Sequence, residues 1–374
     1  MGNKKDMSNL VIVNATALAS SGALTILNQF LEHAMNDSKH EYLCFIHENV
    51  KKNSVNNVTI IPVKKQSFIQ RVWWDLYGVN NYIKKNKLEP KKIISLQNTS
   101  VNSKYKQIIY LHQPIPFSNF KIKKEIQYVI FFMYKYLYPF FIFFRTKNTT
   151  FVVQTDWMKE ALIAKRKIAK DRVYVIKPDI ILPSNNLEYS DGDEDGDDKK
   201  SDAVFLYPAT PLFYKNHMII LDAMRILKTE GILGNTKFQV TFKQSDNDEL
   251  AIKIDKYDLI NNVSFLGVIS YEELFHKYSN ADAIIFPSYL ESFGLPLAEG
   301  AMLGKYIICS DLPYARDVLS NYSNVDYVIH DDAIKWASSL KEIILKKRNN
   351  TLYKSENSYI YLPKTSWADF FKLI

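Results

Sequence analysis

Short apolar runs rich in β-branched residues punctuate the chain, separated by mixed or amphipathic segments. LVIVNA (10–15), YLCFI (42–46), VTIIPV (58–63), KIISL (92–96), KQIIYLH (106–112), TFVVQT (150–155) and RVYVI (172–176) have the length and β-branched content of strands buried on both faces, as in a parallel sheet. Amphipathic stretches at 23–35, 67–86 and 157–168 fit the helical crossovers that parallel strands require. After residue 200 the alternation starts again. AVFLYP (203–208), KFQVTF (237–242), VSFLG (263–267), ADAIIFP (281–287), YIICS (306–310) and DYVIH (326–330) are separated by helical patterns near 216–229, 271–279, 294–303 and 332–347. This predicts two similar α/β domains with open sheets, and the cleft between such domains is the default ligand site.

The segment between the two series, 181–202, contains DGDEDGDDKKSD, which is charged, lacks apolar residues and reads as a solvated linker. Asp191, Asp193, Asp195 and Gly196 match the first half of a calcium loop, but the twelfth position is Asp202 instead of glutamate and the central apolar residue is missing. A metal-binding carboxylate pair would follow a buried strand, so the Asp-Gly-Asp run is not one. The expected boundaries are 1–180 for the first domain, 181–202 for the linker, 203–350 for the second domain and 351–374 for a closing segment.

At 374 residues and 47% hydrophobic, the chain can fill two cores. Cys44 and Cys309 lie in strand-like runs and read as buried thiols of a reducing compartment. The start, MGNKKDMSNL, has no apolar signal region, so a cytoplasmic location is expected. The net charge of +8 is unevenly divided: residues 1–180 hold 28 Lys and Arg against 12 Asp and Glu, and residues 181–374 hold 20 against 28. A basic first half attracts an anionic acceptor or lipid surface, or is merely solvated lysine. No reader motif accompanies the charge, so nucleic acid is not an expected partner.

KIKKEIQYVIFFMYKYLYPFFIFFRTKN (121–148) is aromatic and aliphatic between Gln127 and Phe144, with Lys121, Lys123 and Lys124 before it and Arg145 and Lys147 after it. Lys135 and Pro139 interrupt it too soon for a bilayer span. The expectation is an apolar helix or helical hairpin, partly buried and partly resting on an anionic membrane surface from the cytoplasmic side, with entirely buried helices as the alternative.

The most informative chemistry lies in FPSYLESFGLPLAEGAMLGKYIICSDLP, where Glu291 and Glu299 flank a strand-to-helix turn. Gly294, Pro296 and uncharged residues lie between them, so a diphosphate can approach backbone N–H groups at the helix start without meeting an anion. An ordinary turn with two solvated glutamates is the plain alternative.

Residues 263–313 resemble the donor-binding core of the retaining glycosyltransferase family 4. The resemblance implies the GT-B fold, two Rossmann-like domains facing across a deep cleft. It places Glu299 on the ribose hydroxyls of a nucleotide, where one carboxylate can accept from a vicinal diol. Glu291 then lies against the transferred sugar and opposes positive charge at its anomeric carbon. Ser288, Ser292, Phe293, Gly294 and Leu295 form the diphosphate turn. Lys215, in LYPATPLFYKNHMIILDAM, corresponds to the family's lysine on the leaving diphosphate, although the usual glycine-arginine pair before it is absent and Lys177 is one candidate to replace the arginine. His112, ending IIYLHQP, positions substrate, and Gly22 in the small-residue loop Ser20, Ser21, Gly22 and Ala23 allows close approach of acceptor or diphosphate. YLPKTSWADFFKLI (361–374) resembles the terminal helix that returns to the first domain, with Thr365 or Ser366 as cap and Trp367, Phe370, Phe371 and Leu373 as its apolar face.

The implied function is retaining transfer of a hexosyl or deoxyhexosyl unit from an NDP-sugar to a hydroxyl of a lipid-linked cell-surface glycan, with a polyprenyl diphosphate as carrier. UDP-, GDP- and dTDP-sugars all remain open as donors. No metal is expected, because lysine and backbone amides can stabilise the diphosphate. A GT-B glucosyltransferase acting on a soluble acceptor is the main alternative, and a non-catalytic sugar-binding protein the other.

Overall fold

The computed structural model describes residues 9–118, 128–180, 201–351 and 367–374. The acidic run 181–200, Lys121, Lys123, Lys124, Thr365 and Ser366 lie outside the described residues. The chain divides into two compact units, Met1–Asp179 with Pro363–Ile374 and Ile180–Leu362.

In the first unit the apolar runs form β1 (Leu10–Ala15), β2 (Glu41–His47), β3 (Val58–Val63), β4 (Lys92–Ser95), β5 (Gln107–Leu111), β6 (Thr149–Val153) and β7 (Val173–Val175). All pair in parallel, in the order β3-β2-β1-β4-β5-β6-β7. Strand parity divides the core. Val11 and Val13 of β1 pack with Leu27 and Phe30 of the helix Ser21–Met35, whereas Ile12 joins Phe45, Val79 and Ile83 in a separate cluster. Burying each such side chain fully contributes about 1.5–3 kcal/mol.

The helix Trp367–Phe371 belongs to this unit. Trp367 is fully buried and stacks on Tyr110 with ring centroids 5.4 Å apart, and its indole N–H donates to Gln29 Oε1 at 3.0 Å. Phe30 meets the rings of Trp367, Phe370 and Phe371.

The aromatic run is one continuous helical segment, with Tyr128–Phe132 and Tyr138–Ile142 in α-helical turns and Met133–Leu137 as a widened π turn between them. Pro139 explains the widening, since it has no N–H for the carbonyl one turn back. Among the described residues no helix is long and apolar enough to cross a membrane.

The second unit holds β8 (Val204–Tyr207), β9 (Lys237–Val240), β10 (Val263–Phe265), β11 (Ala283–Phe286), β12 (Tyr306–Ser310) and β13 (Val325–Val328), again all parallel, in the order β10-β9-β8-β11-β12-β13. Helices His217–Thr229, Tyr271–Asn280, Leu295–Met302 and Ala333–Arg348 match the expected patterns. Asp248–Lys256 and Pro313–Val318 are further helices. Both cysteines are free and buried. In each sheet the strand order reverses beside the first strand, between β1 and β4 and between β8 and β11. A doubly wound sheet opens a crevice at the carboxyl ends of such a strand pair.

Candidate active site

The loops that leave β8 and β11 are joined by hydrogen bonds, and this joining brings the predicted chemistry of the second unit together. The Tyr289 N–H donates to Tyr214 O at 2.7 Å, and the Asn216 side-chain amide donates to Pro287 O at 3.2 Å and His330 O at 2.8 Å. Asn216 has φ +58°, a left-handed conformation that asparagine tolerates, and it begins the helix His217–Thr229. Lys215 precedes it at the end of a 3₁₀ turn, and the Tyr207 hydroxyl at the tip of β8 holds its carbonyl at 2.9 Å.

Thus fixed, Lys215 Nζ reaches Glu291 Oε1 at 2.5 Å, with 15% and 14% of the two side chains exposed. The same carboxylate oxygen accepts from Ser288 Oγ at 2.8 Å. Ser288 is fully buried and its carbonyl accepts from the Tyr314 hydroxyl at 2.7 Å. The Ser288 hydroxyl, buried at the foot of the loop, is directed at Glu291.

Gly294 has φ +91° and stands at the N-cap of Leu295–Met302, with Pro296 in the first turn. Only glycine adopts that backbone freely, and an added Cβ would lie 3.3 Å from Leu297 Cδ1. Phe293 is 1% exposed and anchors the turn, while Ser292 and Leu295 are partly exposed on either side. The turn therefore presents backbone and a helix N-terminus, with its partial positive charge, to whatever lies above it.

Glu299 lies within this helix and is 6% exposed. Its Oε2 accepts from the Tyr278 hydroxyl at 2.7 Å. Burial pushes its carboxyl up to about 7, against the lowering effect of the Tyr278 hydrogen bond. A buried carboxylate with one oxygen held by a phenol and its other oxygen outside that bond has the acceptor capacity a vicinal diol needs.

In the first unit, His112 follows β5. Its backbone N–H donates to Asn98 Oδ1 at 2.6 Å and its Nε2 lies 2.8 Å from Leu96 O. The same nitrogen lies 3.1 Å from Asn98 Nδ2, so Nε2 is engaged by both partners and the ring is fixed with Nδ1 as its other nitrogen. Burial lowers the imidazole's pKa and favours the neutral ring. Gly22 falls inside the first turn of Ser21–Met35 and not in a loop before it, because the helix closes on Ser20 O through the Leu24 N–H at 3.2 Å. Lys177 belongs to the first unit.

Sequence reasoning missed Tyr278, Tyr207, Tyr314 and Asn216. Each lies on an apolar face or in a turn, and its spacing signals core or loop; no pattern announces the polar tip. Among the described residues no group of three His, Cys, Asp or Glu is placed to hold a metal.

Residues 193–359 match the family described as glycosyl transferases group 1. The chain is 31% identical over 131 residues to the O-antigen chain mannosyltransferase RfbU of Salmonella typhimurium, covering 35% of this chain and 33% of that protein. It is 25% identical over 181 residues to the capsular polysaccharide biosynthesis glycosyltransferase CapH of Staphylococcus aureus, covering 45% of this chain and 50% of that one. The chain thus spans a third to a half of the length of these relatives. Among solved structures, Anabaena HepE in complex with UDP and glucose superposes with a TM-score of 0.63 at 12% identity, over 93% of each chain. That likeness shows a shared fold, the two-sheet GT-B architecture. Residues 193–359, the part of the chain that holds Lys215, Glu291 and Glu299, are thus similar to the glycosyl transferases group 1 family.

Proposed function

We propose that this chain is a retaining glycosyltransferase that moves a hexosyl or deoxyhexosyl unit from a nucleoside-diphosphate sugar to a hydroxyl of a lipid-linked cell-surface glycan. The observation that carries the reading is the joining of Lys215, Ser288 and Glu291 beyond the reversal point of the second sheet, ahead of a helix that carries buried Glu299. The names of the relatives, which act in O-antigen and capsule synthesis, support the acceptor class.

In this reading Glu299 takes the ribose diol, and the turn through Gly294 and Leu295 takes the diphosphate. Lys215 keeps one ammonium proton on Glu291 and directs the others at the phosphate. When the bond from anomeric carbon to phosphate oxygen breaks, its electron pair stays on that oxygen. Lys215 stabilises the charge more in the transition state than in the bound donor. Glu291 offsets positive character at the anomeric carbon. The acceptor oxygen bonds that carbon on the face the phosphate leaves, and its proton passes to the leaving phosphate oxygen. His112 offers Nδ1 to a substrate hydroxyl. No metal is needed for the charge balance of this scheme, and undiminished turnover after chelation tests that point.

Contact with an anionic membrane is part of the proposal. Val129, Phe132, Tyr136, Leu137 and Phe140 are exposed, Phe140 by 63% and Tyr136 by 60%, and Arg145 and Lys147 are exposed just beyond them. An apolar stripe with a basic edge suits lipid with acidic headgroups. The experiment for the reaction is a donor screen with lipid-linked sugar acceptors, read by NDP release and product mass. Product of inverted anomeric configuration would overturn retention, and donor binding without NDP release would favour a sugar-binding protein.

A further inference from the structure

Asp75 is charged chemistry that the proposed reaction does not use. It is 5% exposed, on a widened π turn, Trp74–Gly78, within the helical run between β3 and β4. Its Oδ1 accepts from Asn14 Nδ2 at 2.7 Å and Gln97 Nε2 at 2.8 Å, and its Oδ2 from Thr99 Oγ1 at 2.7 Å. Its carbonyl accepts from the Asn102 N–H at 2.9 Å. The wide turn has a reason in packing: a Cβ on Gly78 would lie 2.4 Å from Trp74 Cε3, so glycine lets the indole fold against the backbone. The indole N–H then donates to Asn14 Oδ1 at 3.1 Å. Burial raises the Asp75 carboxyl to about 6 even though three donors and nearby Arg71 lower it. A group this costly to bury, with both oxygens occupied, points to a role in holding geometry.

What it holds is the segment that cradles His112. Gln97 and Thr99 stand on either side of Asn98, which has φ +65° and whose Oδ1 accepts from the His112 N–H at 2.6 Å and the Gln113 N–H at 3.0 Å. The Leu96 carbonyl, just before Gln97, and the Asn98 side-chain amide both lie against His112 Nε2, at 2.8 and 3.1 Å. Gln97 also reaches the loop after β1, where its Oε1 accepts from the Ala17 N–H at 3.1 Å and Thr16 Oγ1 at 3.1 Å.

We propose that Asp75 is the positioning residue for His112, acting through the pinned segment Leu96–Thr99 and the left-handed Asn98. The proposal rests on the transferase reading for its effect on activity, but the geometry has a test of its own.

Asp75→Asn keeps the network, since its oxygen still accepts from Asn14 and Gln97 and its NH₂ donates to a rotated Thr99 hydroxyl. Asp75→Leu keeps the branched shape, at somewhat larger volume, and removes every acceptor. In hydrogen exchange, the His112 and Gln113 amides of Asp75→Leu are expected to exchange at least about tenfold faster than in the parent, with Asp75→Asn close to the parent. Transfer falls on the order of a hundredfold in Asp75→Leu at unchanged NDP affinity, a separation that general loss of structure does not give. If Asp75→Leu does not fold, Thr99→Val removes a single donor and carries the same expectation at smaller size. Parent-like exchange at His112 and Gln113 in the folded variants overturns the proposal. If the parent transfers no sugar from any donor, the transferase reading fails, while the exchange data still decide the role of Asp75.

Discussion

Lys215 Nζ lies 2.5 Å from Glu291 Oε1, across 76 residues of sequence, because the loops leaving β8 and β11 are tied to one another. The pair links the group proposed to meet the diphosphate with the group proposed to meet the sugar, so their contributions to catalysis are coupled. Glu291→Gln keeps the shape and removes the charge. It is expected to lower kcat by about 10²–10³, the size of losing one stabilising group at a reacting centre, with donor affinity little changed. Lys215→Met should weaken donor binding as well, and the double variant should lose less than the product of the single losses. Single-turnover rates and donor titration on the three variants check this, and multiplicative losses would contradict the coupling.

Glu299 gives a pH dependence whose sign follows from its burial. The ordinary glutamate value is 4.5 and the folded value is about 7. Between them the folded chain keeps a proton that the unfolded chain has released, so this group's contribution to stability falls as pH rises through that window. The total is about 3 kcal/mol as an order of magnitude. Urea denaturation of Glu299→Gln and the parent at pH 4.5 and pH 8 should show the variant gaining on the parent by about that amount. A pH-independent difference contradicts it.

Gly294→Ala places a side chain at φ +91°, 3.3 Å from Leu297 Cδ1 and 3.5 Å from Phe286 Cε1. The strain is expected to cost about 1–3 kcal/mol, and relaxation of the turn should weaken NDP binding. Chemical denaturation and nucleotide titration measure the two effects. Unaltered stability and binding would show that the turn does not need its left-handed residue.

The exposed stripe of the first unit predicts membrane recovery. Replacing Phe132, Tyr136 and Phe140 together with serine should leave the fold intact and release the protein from vesicles containing anionic lipid. Flotation equal to that of the parent would remove the lipid surface from the account.

The sheets were legible because central strands such as β5 and β11 are buried at every position and read as apolar, β-branched runs, and every run assigned to a strand is one. The helix Asp248–Lys256 was not, since Leu250, Ile252 and Ile254 alternate like a strand while Ile252 is in fact 67% exposed. Pro313–Val318 is too short to show a helical period. Glu291 and Glu299 stood out through the turn between them, yet neither the Lys215 contact nor the Tyr278 hydroxyl has a local signature. Asp75 sits in WWDLY inside a long amphipathic pattern, where an aspartate reads as surface; only the convergence of Asn14, Gln97 and Thr99 in three dimensions reveals it as buried.

The central claim is that the second unit grips a nucleoside diphosphate through Glu299, and calorimetric titration of the full chain with UDP, GDP and dTDP, repeated on Glu299→Ala, tests it most directly. The account predicts saturable binding of at least one nucleotide by the parent and a loss of about tenfold or more in the variant, the size of one charge-assisted hydrogen bond. Equal affinity in parent and variant, or no binding of any of the three to the parent, would contradict it.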